Sequence, residues 1–191
     1  MRIIGGQHKG RGLISPKGLS TRPTTDRVRE SLYNILENGR GVDFEGLRVI
    51  DLFAGSGALG LEAMSRGASF CLFVETDAEA RGVIRDNVEA LSLFGNTRIH
   101  RRSATDLGTK PAGVGAPFDV AFLDAPYNKT GGNDLTGPAL AALRDGNWLS
   151  DAALVIVEQS TREKRSVPDG YVEDDRRIFG DTQIGFLFRK G

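Results

Sequence analysis

The stretch Val49-Ile50-Asp51-Leu52-Phe53-Ala54-Gly55-Ser56-Gly57 restricts the fold of this chain more than any other. An apolar run ends in a carboxylate, a bulky residue and a glycine turn, and a helical pattern starts at Ala58. A strand that feeds a helix in this way opens a parallel α/β unit. The alternation continues. Apolar runs predict strands at 47–52, 70–75, 97–101, 118–123 and 153–158, and helices near 58–66, 78–92 and 135–146. Asp77 is a plausible cap for the second of these helices. Parallel strands joined by crossover helices make a mostly parallel, doubly wound, Rossmann-like sheet. Ligands bind such sheets outside the carboxyl ends of the strands. Asp51, Glu75 and Asp124 all fall at such ends. The tail departs from the pattern. Tyr171–Ile178 and Gln183–Arg189 read as two strands with only Phe179–Thr182 between them, a C-terminal antiparallel hairpin. The Gly/Pro-rich stretches 108–117 and 128–138 read as loops. The second is placed to close over a substrate.

Residues 1–23 read as an N-terminal basic β-hairpin or extended arm, too short for a core of its own. Residues 24–191 form the main domain. Within it, Val28, Leu32, Ile35 and Leu36 share one face of a helix over 24–38, capped by Thr24 or Thr25 and ended by Gly39-Arg40-Gly41. Charge is uneven along the chain. Residues 1–40 hold eight Lys/Arg against three Asp/Glu, and the rest holds 17 against 22. A basic start on a mildly acidic body predicts a local contact with a polyanion. No apolar run approaches the ~20 residues of a membrane span, and the first residues lack a signal-peptide core. The single cysteine, Cys71, lies in an apolar run and allows no internal disulfide. That composition fits a reducing cytoplasm. No Cys/His cluster suggests a metal, and a monomer is the default expectation. His8 and His100 read as surface or structural, and Trp148 as core.

Gly55-Ser56-Gly57-Ala58-Leu59-Gly60 satisfies the dinucleotide pattern G-x-G-x-x-G, which alone would suit an NAD-dependent oxidoreductase. Asp51 argues against that. A pyrophosphate at the helix N-terminus would be crowded by its carboxylate. S-adenosylmethionine has no phosphate and carries an ammonium, which Asp51 can attract. The glycines let the backbone approach the cofactor. Glu75, followed by Thr76, can accept both ribose hydroxyls, as it could for either cofactor. Ser103 and Ala104 follow the third strand and can flank the adenine.

Asp124-Ala125-Pro126-Tyr127 closes the fourth predicted strand and can grip an exocyclic amine of a nucleobase. Such an amine is a poor nucleophile because its lone pair is delocalised into the ring. Two acceptors, the Asp124 carboxylate and the Ala125 carbonyl, can hold its two N–H groups and aim the lone pair at the methyl carbon. Pro126 stiffens the turn. Tyr127 offers a ring face to a flipped base, worth ~1–3 kcal/mol in stacking.

At these residues the chain resembles the bacterial 16S rRNA (guanine-N2) methyltransferases that modify G966. The resemblance runs nearly end to end. It includes Met1–Gly6, Lys9-Gly10-Arg11, the specific run Thr21-Arg22-Pro23-Thr24-Thr25-Asp26-Arg27-Val28-Arg29-Glu30, both motifs above and Phe179-Gly180-Asp181-Thr182. It implies a Rossmann-like class I methyltransferase sheet with an N-terminal β-hairpin and S-adenosylmethionine as donor. Asp51, Phe53, Gly55, Gly57, Glu75, Thr76, Ser103 and Ala104 are then the cofactor set, and Asp124 through Tyr127 hold the guanine. The family's tetrapeptide is usually Asp-Pro-Pro-Tyr. Ala125 keeps the backbone acceptor but loosens the turn. Arg2, Lys9, Arg11 and Lys17 are expected to grip phosphates, and Arg22, Arg27 and Arg29 to position the flipped nucleotide. Arg27 and Arg29 could instead pair with Asp26 and Glu30. The expected partner is 16S rRNA within a small-subunit assembly particle. A non-catalytic RNA-binding assembly factor is the alternative, against which Asp124 and Tyr127 argue.

Overall fold

A computed structural model describes residues 1–17, 25–126, 134–164 and 167–190. The apolar runs become seven strands of one sheet: β1 (Arg48–Leu52), β2 (Phe70–Val74), β3 (Thr97–His100), β4 (Phe118–Asp124), β5 (Leu149–Ser160), β6 (Tyr171–Phe179) and β7 (Thr182–Arg189). Their order is β3-β2-β1-β4-β5-β7-β6. β1 to β5 run parallel, while β7 is antiparallel to β5 and to β6. The chain leaves β1 toward β2 and β3, then returns to its other side for β4 and β5. The switch point between β1 and β4 is where such sheets take ligands.

Four α-helices flank the sheet: α1 (Asp26–Asn34), α2 (Ala58–Ser65), α3 (Ala78–Ala90) and α4 (Thr136–Asp145). α1 to α3 cover one face, with Leu32, Tyr33, Leu61, Ile84 and Val88 packed against Phe73 and Phe122. α4 covers the other, where Leu140 and Leu143 meet Trp148, Phe118 and Val155. Trp148 and Phe118 are fully buried, each worth roughly 2–3 kcal/mol of transfer free energy. Thr25 caps α1 by accepting from the Val28 amide, and Asp77 caps α3 by accepting from the Ala80 amide. After Asn34, α1 widens into a single π turn over Ile35–Gly39, and Arg40 donates back to the Ile35 carbonyl.

Two expectations change. In the terminal hairpin Phe179 already pairs with Thr182, so only Gly180-Asp181 forms the turn. Gly180, at φ +60°, supplies the left-handed residue such a turn needs. The N-terminal segment pairs antiparallel as expected, with Arg2 bridged to Gly12, Ile3 donating to the Arg11 carbonyl and Leu13 to the Met1 carbonyl, but it is not a free arm. It is a strap lying on the domain, with Ile3 and Leu13 buried in the core. It descends along α2, where Ile4 and Gly5 donate to Glu62 and Gln7 to the Ser65 carbonyl. It then turns and climbs α3. Arg11 donates to the Ala90 carbonyl, Ile14 exchanges two bonds with Asn87, and Lys17 donates to Glu79. The expected boundary at residue 23 lies outside the described residues.

Candidate active site

The turn after β1 is built from left-handed residues. Phe53, Gly55 and Gly57 have φ of +58°, +57° and +78°. Glycine adopts this freely, whereas Phe53 does so at a cost. A Cβ on Gly60 would come within 2.6 Å of Cys71 Sγ and of the Phe73 ring, and 3.2 Å of Asp51 Oδ2. Glycine there lets α2 settle onto β2 and brings the Gly60 amide to Asp51, at 2.9 Å.

These elements enclose a cavity of about 390 Å³ at the carboxyl ends of β1, β2 and β4, within the usual range for small-molecule sites. Asp51, Phe53, Gly55, Glu75, Thr76 and Ser103 line it, and so do Asp124, Ala125 and Pro126. The two motifs, more than seventy residues apart in sequence, therefore share one cavity. Gly57 is buried behind the wall as the residue before α2. Ala104 is also buried, its methyl in the core on the α4 side. Thr105 lines the cavity beside Ser103, their hydroxyls 2.8 Å apart. Tyr127, Arg22 and residues 128–133 of the expected loop lie outside the described residues. Sequence reasoning missed Met1, Ser15 and Pro16, which the strap brings to the cavity. Their placement depends on Asn87 and Glu79, with no local signal.

The lining carries four carboxylates, Asp51, Glu75, Asp77 and Asp124, and no Lys, Arg or His among the described residues. Such a wall repels a pyrophosphate and suits a ligand with a cationic tail. Both Glu75 oxygens accept backbone amides, one from Gly55 and one from Asp77, each at 2.9 Å. The Gly55 amide, which a dinucleotide would need, is thus taken, and Glu75 is fixed with further lone pairs for hydroxyl donors. Asp51 is 1% exposed. Desolvation pushes its carboxyl up to about 8, opposed by the Gly60 amide and reinforced by Glu75. Cys71, buried beside it, has its thiol pushed well up and is chemically quiet.

Arg2, Lys9, Arg11, Lys17 and Arg27 are exposed. Arg29 is not, and its expected contact with RNA is corrected. Its side chain is fully buried, paired with Asp26 at 2.9 Å and Glu62 at 3.5 Å, and donates to the Arg2 carbonyl. A position one turn from Thr25 and facing α2 cannot reach a phosphate. It ties the strap to α1 and α2 instead.

The family described as Conserved hypothetical protein 95 matches residues 1–188. The chain is 39% identical to the ribosomal RNA small subunit methyltransferase D of Escherichia coli strain K12, over 83% of this chain and 74% of that protein. The chain belongs to this family. A second member, from Haemophilus influenzae and with the same description, is 33% identical over 90% of this chain and 84% of its own length. Among solved structures, an Escherichia coli protein described as a methyltransferase, yhhF, superposes with a TM-score of 0.80. It is 32% identical and covers 100% of this chain and 98% of that one. This chain thus has the Rossmann-like methyltransferase fold, with an antiparallel C-terminal hairpin.

Proposed function

We propose that this protein transfers a methyl group from S-adenosylmethionine to the exocyclic N2 amine of a guanine in small-subunit ribosomal RNA, G966 in the family's numbering. The observation that carries this reading is the common cavity of Asp51, Glu75 and the Asp124-Ala125-Pro126 turn. The family relatives described as small-subunit rRNA methyltransferases support the substrate class.

The lining fits the cofactor. Asp51 would face its ammonium, Glu75 its ribose hydroxyls, and Ser103 with Thr105 the polar edge of its base. When bound, it supplies an electrophilic methyl on a sulfonium. The chain's own residues do the rest. The Asp124 carboxylate and the Ala125 carbonyl accept the two N–H groups of the amine and favour its pyramidal form. Pro126 holds that turn. Once methylated, the amine is strongly acidic, and Asp124 takes its proton without needing a raised pKa. Tyr127 is assigned the stacking face. The exposed bases Arg2, Lys9, Arg11, Lys17 and Arg27 are assigned to phosphates, as is Arg22.

The test is transfer of radiolabelled methyl from S-adenosylmethionine to unmodified small ribosomal subunits. Label on one guanine at N2, lost in Asp124→Ala, is the expected result. Tight binding of S-adenosylhomocysteine with no label on any RNA would instead favour the assembly-factor reading.

A further inference from the structure

Guanine's Watson–Crick edge carries three N–H groups in a row, two on the N2 amine and one on N1. Asp124 and Ala125 supply acceptors for the amine. The N1–H needs a third, and a purine with an unprotonated N1 would offer a lone pair there instead. β5 ends beside the tetrapeptide. Asp124 is the register partner of Glu158, so the next residue, Gln159, comes alongside Ala125. Side chains alternate along a strand. Val155 and Val157 face the α4 side, with Ala125 in the same cluster, and Gln159 faces that side too. Its Nε2 lies 3.3 Å from the hydroxyl of Thr136, the first residue of α4. Thr136 adjoins Leu135, which lines the cavity.

Gln159 is 4% exposed, and its Oε1 is buried with no hydrogen-bond partner. Nearly all buried polar atoms in folded proteins are paired, so an orphan invites a reason. Thr136 holds the Nε2 end of this amide, and the Oε1 end is buried without a partner beside the turn that is to hold the base.

We propose that Gln159 is a specificity-determining residue whose Oε1 accepts the N1–H of the target guanine. This rests on the guanine-N2 reading above. It makes β5 the strand that distinguishes guanine from other 2-aminopurines, while β4 handles the reacting amine.

The probe is small-subunit RNA, assembled into particles, carrying guanine or 2-aminopurine at the modified position. 2-Aminopurine keeps the 2-amine but has no N1–H. The wild-type protein should prefer guanine by about 100-fold in kcat/KM, since a site built to bond a donor rejects the analogue lacking it. Gln159→Met keeps the length and removes the acceptor. It should lower kcat/KM for guanine by about 30-fold or more, leave that for 2-aminopurine unchanged and so bring the two substrates within about 3-fold. Gln159→Glu keeps an acceptor and should restore the preference. Equal losses on both substrates in Gln159→Met, or a lost preference in Gln159→Glu, would overturn the proposal and leave Gln159 a prop for Thr136. Thermal melting and S-adenosylhomocysteine binding report whether each variant folds. If Gln159→Met does not fold, Gln159→Glu alone decides. Should wild-type label appear elsewhere than guanine N2, the underlying reading fails before any variant is compared.

Discussion

Asp51 is at once an expected cofactor ligand in sequence and a nearly inaccessible side chain in the fold, and that combination has a measurable signature. Its carboxyl sits at about 8 in the fold, raised by desolvation, against about 3.9 in an unfolded chain. Between those values the folded protein holds a proton that the unfolded chain has released. The free protein should therefore lose stability as pH rises from 4 to 8, by up to about 1.4 kcal/mol per unit from this group. Chemical denaturation across that range should show the loss, and Asp51→Asn should flatten it. A ligand ammonium favours the ionised form. Binding of S-adenosylhomocysteine, which keeps that ammonium, should strengthen from pH 6 to 8 with release of a proton, and Asp51→Asn should abolish the trend. Calorimetry in buffers of different ionisation enthalpy counts the proton. Gly60 offers a second test at this scale. Gly60→Ala drives a methyl into Cys71 and Phe73 and should cost about 1–3 kcal/mol, as overpacking does. An unchanged denaturation midpoint would mean that α2 can shift.

Arg29 separates the roles of two basic elements. Arg29→Ala removes one partner of a buried cluster with Asp26 and Glu62, and should cost roughly 3 kcal/mol or more. It should leave the salt dependence of RNA binding unchanged. Reversing Lys9 and Arg11, both exposed on the strap, should do the opposite. The melting temperature should fall only slightly, from loss of the exposed Arg11 bond to Ala90, while the slope of log affinity against log salt falls by about 2. Equilibrium binding at several salt concentrations checks both. The elements themselves were largely readable. Strand-end carboxylates at Asp51, Glu75 and Asp124, and caps at Thr25 and Asp77, are local signals, and the helix bounds agree within two residues. What escaped the sequence was long-range. Arg29 carries the same charge as Arg27 two residues away, but it lies on the face of Leu32, Tyr33 and Leu36, and Glu62, distant in sequence, is the partner that lets it be buried there. Ala104 and Thr105 differ in which side of their loop meets the α4-side core. The roles of Ser15 and Pro16 are set by Asn87, more than seventy residues on.

At the scale of the whole molecule the strap is structural before it is anything else. Removing residues 1–17 would uncover the core around Ile3 and Leu13 and remove the bonds that Glu62, Ser65 and Asn87 make to the strap. Such a truncation should lower the melting temperature by several degrees and weaken S-adenosylhomocysteine binding along with RNA binding. Loss of RNA affinity alone would make the strap an accessory. Its route also dictates an order of assembly. Residues 1–17 are made before the surfaces they rest on, which come from α1 and from residues 56–90. Contacts of such sequence separation form late, after the loop they close has been ordered. The strap therefore docks only after α2 and α3 have formed. Pulse-labelled hydrogen exchange should show the Ile3 and Leu13 amides protected only after those of β1 and β2. A newly made strap thus waits for α2 and α3, and the cavity keeps one wall open until they are in place.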